Sequence, residues 1–111
     1  MFRQPPVPAI DATAVPAGAY LLDVREPYEW EAGHVAGAIA MPMGEVTARL
    51  DEVPADRPVV VVCRSGHRSA QVTGYLARQG RQAVNLDGGM HAWQDAGLPM
   101  VSETAAPPAV V

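Results

Sequence analysis

The chain has 111 residues and a net charge of −4, and 49% of it is apolar with 5% aromatic. That length holds one domain and no second core, so the interior must be built from small and β-branched side chains. The charge disfavours a phosphate backbone as partner, no apolar run approaches the ~20 residues of a membrane span, and the opening MFRQPPVPAI has no apolar signal core.

Residues 1–7 include the Pro-rich RQPP and read as an extended lead, with a short strand expected within 7–11. AYLLDV (19–24) is an apolar run ending in charge and reads as a buried strand. EPYEWEAG (26–33) has Pro27 in a first helical turn and Gly33 as a stop, which suggests a short helix. GAIAMP (37–42) is a brief strand closed by Pro42. GEVTARLDEV (44–53) sets Val46, Leu50 and Val53 on one helical face and predicts a helix. PVVVVC (58–63) is the clearest strand, apolar on both faces and started by Pro58. RSAQVTGYLARQG (68–80) predicts a helix with Val72, Tyr75, Leu76 and Gln79 on one side and Gly80 as its stop. QAVNLD (82–87) is a further strand, and GMHAWQDAG (89–97) a short helix ended by Gly97. Residues 101–111 lack periodicity and read as a frayed tail.

Strands that alternate with helices around a strand apolar throughout imply an α/β fold, a parallel sheet with helices on both faces. Parallel strands bring their C-terminal ends to one edge, where open α/β sheets bind ligands. Asp23 and Arg25 follow one strand, Cys63 ends another, and Asp87, Gly88 and Gly89 follow the last. All are expected on one rim.

Cys63 is the single cysteine, so no internal disulfide can form and a cytoplasmic location is the default. A metal is not expected, since His34, His67 and His91 show no ligand spacing. A lone cysteine ending a buried strand is commonly an inert small hydrophobe. The RSGHRS that follows argues otherwise. Gly66 allows a tight turn with positive φ, the loop amides can form an anion nest, and a helix start adds its positive end. Arg64, His67 and Arg68 add charge, so the thiol should ionise below the ~8.5 of free cysteine.

These residues resemble the rhodanese family of sulfurtransferases over about residues 8–100. LLDVREPYEWEAGHVAGAIAMP (21–42), VVVVCRSGHRSA (59–70) and NLDGGMHAWQDAGLP (85–99) are similar to three successive family blocks. The resemblance implies a five-stranded parallel sheet flanked by helices, with no metal or organic cofactor. It makes Cys63 the nucleophile, taking the outer sulfur of an anion such as thiosulfate as a persulfide and passing it to a thiol or protein acceptor. The substrate cradle is then Arg64, Ser65, Gly66, His67, Arg68 and Ser69, with the two arginines attracting the dianion. Related phosphatases and arsenate reductases carry a Cys-x5-Arg loop, whereas Cys63 and Arg68 are spaced Cys-x4-Arg, a smaller cradle sized for one sulfur. The same features also suit a sulfur carrier that serves a docked protein; a silent regulatory copy is disfavoured by the intact Cys63. One departure from the family is DATAVPAGA (11–19), too short and too rich in Pro and Gly for the helix many members carry there.

Asp23 and Arg25 could orient the loop or fix its wall, and a structural ion pair is the simpler expectation. His34 reads as a hydrogen-bonded turn residue, His91 as surface. Trp30 and Trp93 read as packing residues, with Trp93 a candidate pocket wall, and Met41, Met43 and Met90 as gap-fillers.

Overall fold

The computed structural model describes residues 6–111; the first five residues of the expected extended lead lie outside them. The strands are β1 (Ala9–Ile10), β2 (Tyr20–Asp23), β3 (Ile39–Ala40), β4 (Pro58–Val62) and β5 (Gln82–Leu86). The helices are α1 (Pro27–Ala32), α2 (His67–Arg78) and α3 (Gly89–Asp95). All strand pairs are parallel, in the order β1-β5-β4-β2-β3. Among the described residues no helix is long and apolar enough to cross a membrane.

The period of two along a strand divides the valine run between two cores. Val59, Val61 and Cys63 pack with Val72 and Leu76 of α2 on one face. Val60 and Val62 pack with Leu86 and with Met90 and Trp93 of α3 on the other. Cys63 continues the odd series, so its sulfur falls on the α2 side, where that helix begins. Gln79, expected on the packed side of α2, is exposed at the C-cap.

The helix expected over 44–53 is instead two 3-10 turns, Met43–Glu45 and Leu50–Glu52. Gly44 and the β-branched Val46, Thr47 and Val53 favour helix weakly, and Pro54 drives Val53 to extended backbone at φ −90°, ψ 120°. Val46 and Val53 still reach the core. Arg81 donates to the Leu50 and Val53 carbonyls at 2.9 and 3.1 Å, tying this segment to the end of α2. Between β1 and β2 the chain makes one 3-10 turn, Ala12–Ala14, capped by Asp11.

The segment 101–111 has no helix or strand, yet it is tied down rather than frayed. His34 and Val101 exchange two backbone hydrogen bonds, the Glu103 and Ala109 amides donate to Glu31 and Ala32, and Val110 donates to Gln94. Gly33 permits this close approach, since a Cβ there would lie 2.6 Å from the Ala109 carbonyl oxygen.

Asp23 and Arg25 form a fully buried pair at 2.7 Å. The guanidinium also donates to the carbonyls of Glu29 and Gly33 at 3.3 and 2.8 Å, fastening α1 to the sheet edge. Arg25→Met leaves the Asp23 carboxylate buried beside an apolar chain. The expected loss is about 3–5 kcal/mol, read as a lower urea midpoint with the slope unchanged.

Candidate active site

Cys63 follows the last residue of β4 and is 1% exposed. Its Sγ accepts the Gly66 N–H at 3.1 Å and the Ser69 hydroxyl at 3.2 Å. The turn that achieves this needs Gly66, whose φ of 101° lies in the left-handed region. α2 starts at the next residue, so Ser69 in its first turn directs both amide and hydroxyl at the sulfur.

A loop that turns its amides inward leaves carbonyls facing outward that need donors. α3 supplies them. Met90 N–H donates to the Cys63 carbonyl at 2.8 Å and His91 N–H to the Arg64 carbonyl at 3.0 Å. These are first-turn amides of α3, which lack partners within their own helix. Gly88 and Gly89 bring the helix start this close with φ of 75° and 60°. A Cβ on Gly89 would lie 2.5 Å from the Cys63 carbonyl oxygen and 2.7 Å from the Arg64 backbone. The paired glycines are thus a condition for the loop's shape.

Burial is the largest influence on the Cys63 thiol and pushes its pKa up. The Ser69 hydroxyl and the amides of Ser69, Gly66 and Ser65 together outweigh it and hold the thiol below its ordinary value. Of the causes the sequence suggested, the loop amides act on the sulfur, joined by the Ser69 hydroxyl. Hydrogen bonds are the named causes of the lowering, while the two arginines of the loop make their own side-chain contacts away from the sulfur. Arg68 makes two hydrogen bonds to Glu29 at 2.8 and 2.9 Å. Those bonds, against burial, hold the Glu29 carboxyl below its ordinary range. Arg64 is exposed and its Nε donates to the Val111 carbonyl at 2.8 Å. His67 is exposed as the first residue of α2.

The Rhodanese-like domain pattern matches residues 9–96. The chain belongs to the rhodanese-like family. A sulfurtransferase of Allochromatium vinosum is 45% identical over 83 residues, 74% of this chain and 78% of the relative. A putative sulfur carrier protein of Bacillus subtilis, YrkF, is 35% identical over 74 residues, 66% of this chain and 40% of the relative. The crystal structure of a rhodanese-related protein from Thermoplasma volcanium superposes with a TM-score of 0.81 at 31% identity, covering 85% of this chain and 97% of that one. The family embraces sulfur-transferring and sulfur-carrying proteins, and this rhodanese-like domain keeps the parallel sheet and helices expected of it.

Within the domain, Asp23 and Arg25 serve α1 and reach the site through Glu29, which α1 presents to Arg68. Glu29 escaped notice in the sequence because its partner lies 39 residues away. Asn85 was also missed. It is a buried amide bonded to Ser69 and Gly66, and its one signal was a polar residue inside an apolar strand. His34 is structural, its Nδ1 2.8 Å from the Trp30 carbonyl and its ring stacked on the Trp30 indole at 3.6 Å. Trp93 lines a groove of about 340 Å³ with residues 15–19 and Val35, and Cys63 has no part in that groove. Among the described residues, no three His, Cys, Asp or Glu side chains form a metal-binding group.

Two outcomes follow from this geometry. Alkylation of Cys63 by iodoacetamide should rise with pH through a midpoint below the ~8.5 of a free thiol, and Ser69→Ala should move that midpoint upward. Because the folded thiol is the more acidic, its contribution to stability is complete above the unfolded pKa and is lost as pH falls through the folded one. Gly89→Ala forces backbone against backbone, so it should cost about 1–3 kcal/mol and raise the alkylation midpoint, both measured on the same purified variant.

Proposed function

We propose that the protein is a sulfurtransferase that carries sulfane sulfur on Cys63, from thiosulfate or a related donor to a thiophilic acceptor. One observation carries this reading: a buried sulfur receives a backbone amide at 3.1 Å and a hydroxyl at 3.2 Å where a 12-residue helix begins. That setting favours a thiolate and then a second negative sulfur beside it.

The thiolate attacks the outer sulfur of thiosulfate. A sulfur–sulfur bond forms to Sγ, the bond to the sulfonate sulfur breaks, and sulfite leaves with its electron pair. The persulfide's outer sulfur bears the negative charge and lies against the loop amides of residues 64–69. An acceptor thiolate then attacks that atom, and the pair of the breaking bond returns to Sγ. Neither step calls for a metal or an organic cofactor. With Cys63 at 1% exposure, the reagent must present a slender end, which suits a terminal sulfur better than a phosphate ester. A reducing, cytoplasmic setting would preserve the free thiol.

The charge distribution favours a second reading, a carrier that serves a protein or thiol partner with slow turnover of free thiosulfate. Arg68, the arginine on α2, is paired with Glu29. Only the exposed Arg64 then adds an arginine charge without an ion pair beside Cys63 to gather a dianion.

Incubation with thiosulfate should add about 32 Da, one sulfur atom, to the intact protein. Cyanide should remove it, and Cys63→Ser should never acquire it. A protein that gains no mass at Cys63 overturns persulfide chemistry. If mass is gained quickly while steady-state thiosulfate–cyanide turnover is slow and discharge to a thiol acceptor is fast, the carrier reading holds.

A further inference from the structure

Asn85 lies near the end of β5, 7% exposed, between the catalytic loop and α2. Its Nδ2 donates to the Gly66 carbonyl at 3.1 Å, and its Oδ1 accepts the Ser69 hydroxyl at 2.6 Å. A carbonyl oxygen can only accept, so the Gly66 contact fixes which end of the amide faces which way. Oδ1 must therefore face Ser69.

The Ser69 hydroxyl has one hydrogen and two acceptors in reach, Asn85 Oδ1 at 2.6 Å and Cys63 Sγ at 3.2 Å. It can fully serve one at a time. Uncharged sulfur is a weak acceptor, so the amide oxygen wins while Sγ is a thiol or part of a disulfide-type bond. A hydrogen bond to an ionised acceptor is roughly twice as strong as a neutral one, so a thiolate draws the hydrogen to itself. We propose that Asn85 is a positioning residue acting through Ser69: it holds the hydroxyl hydrogen while Sγ is uncharged and releases it when Sγ becomes a thiolate.

Its place in turnover rests on the persulfide reading above. On loading, the Sγ electron pair enters the new sulfur–sulfur bond, sulfite departs, and the hydroxyl swings to Asn85. On discharge, the acceptor bonds to the outer sulfur, the old bond's pair returns to Sγ, and the hydroxyl swings back to stabilise the departing thiolate. The cysteine thus always meets a donor matched to its charge, with no buried hydroxyl left unpaired in either state. Arg68 is the charged side chain that senses the sulfur, and its pairing with Glu29 contains neither Asn85 nor Ser69.

A double-mutant cycle tests the link. Asn85→Ala, Ser69→Ala and the double variant are compared by the pH midpoint of iodoacetamide alkylation at Cys63. Asn85→Ala removes the competing acceptor, so its midpoint should fall by about 0.4 pH unit or more, the low end of coupling within one hydrogen-bond network. In the Ser69→Ala background the same change should leave the midpoint where Ser69→Ala alone puts it. An unchanged or raised midpoint in Asn85→Ala, or an equal shift in both backgrounds, overturns the proposal, since a purely structural role acts without the hydroxyl. Asn85→Leu, of similar volume, is read by the same criteria should the alanine variant not fold. Alkylation needs no sulfur donor. Intact coupling in a protein that gains no persulfide mass therefore counts against the proposed function alone.

Discussion

Peptide orientation around Cys63 is the constraint on which the site depends. A peptide has two polar ends, and pointing its N–H at the sulfur commits its C=O to the opposite side. Here the carbonyl of Arg64, on the same peptide as the Ser65 amide that faces the sulfur, and that of Cys63 before it meet the unpaired first-turn amides of α3. Two needs cancel: a helix start with spare donors and a loop with spare acceptors. The arrangement tolerates no Cβ at Gly89, so the motif that ends β5 and the motif that ends β4 form one device.

Charge around the loop serves architecture before it serves chemistry. Asp23 and Arg25 fasten α1, α1 presents Glu29, and Glu29 braces Arg68 at the start of α2. The result is a rigid wall with little net field. Among the described residues no buried side-chain nitrogen or oxygen lacks a partner, which suits a site whose acidity rests on short, directed hydrogen bonds. Such bonds act over one atom's width and are less exposed to ionic screening than surface charge.

Much of this was legible in the sequence, for reasons that differ by element. β4 announced itself because a run of valines cannot satisfy a helical face, and the alternation within it already implied two cores. The ends of α1, α2 and α3 were marked by Pro27, Gly80 and Gly97. The stretch 44–53 misled because Val46 and Val53 are core anchors seven residues apart, a spacing that two 3-10 turns satisfy as well as a helix does. The segment after Leu98 offered no pattern because backbone atoms, which every sequence shares, make most of its contacts. At the site, the turn at Gly66 and the helix start beside Cys63 could be read from local spacing. The engagement of Arg68 and Arg64 could not, since each partner comes from a distant segment.

The stitching of residues 101–111 along α1 has a geometric corollary. The Val111 carbonyl lies 2.8 Å from Nε of Arg64, the residue after Cys63. A group carried beyond that point would start beside the residue that follows Cys63, and a short tether would hold it there at the roughly millimolar effective concentrations typical of intramolecular encounters. Attachment at the opposite edge of the sheet would leave the same group at the far ends of the strands from Cys63.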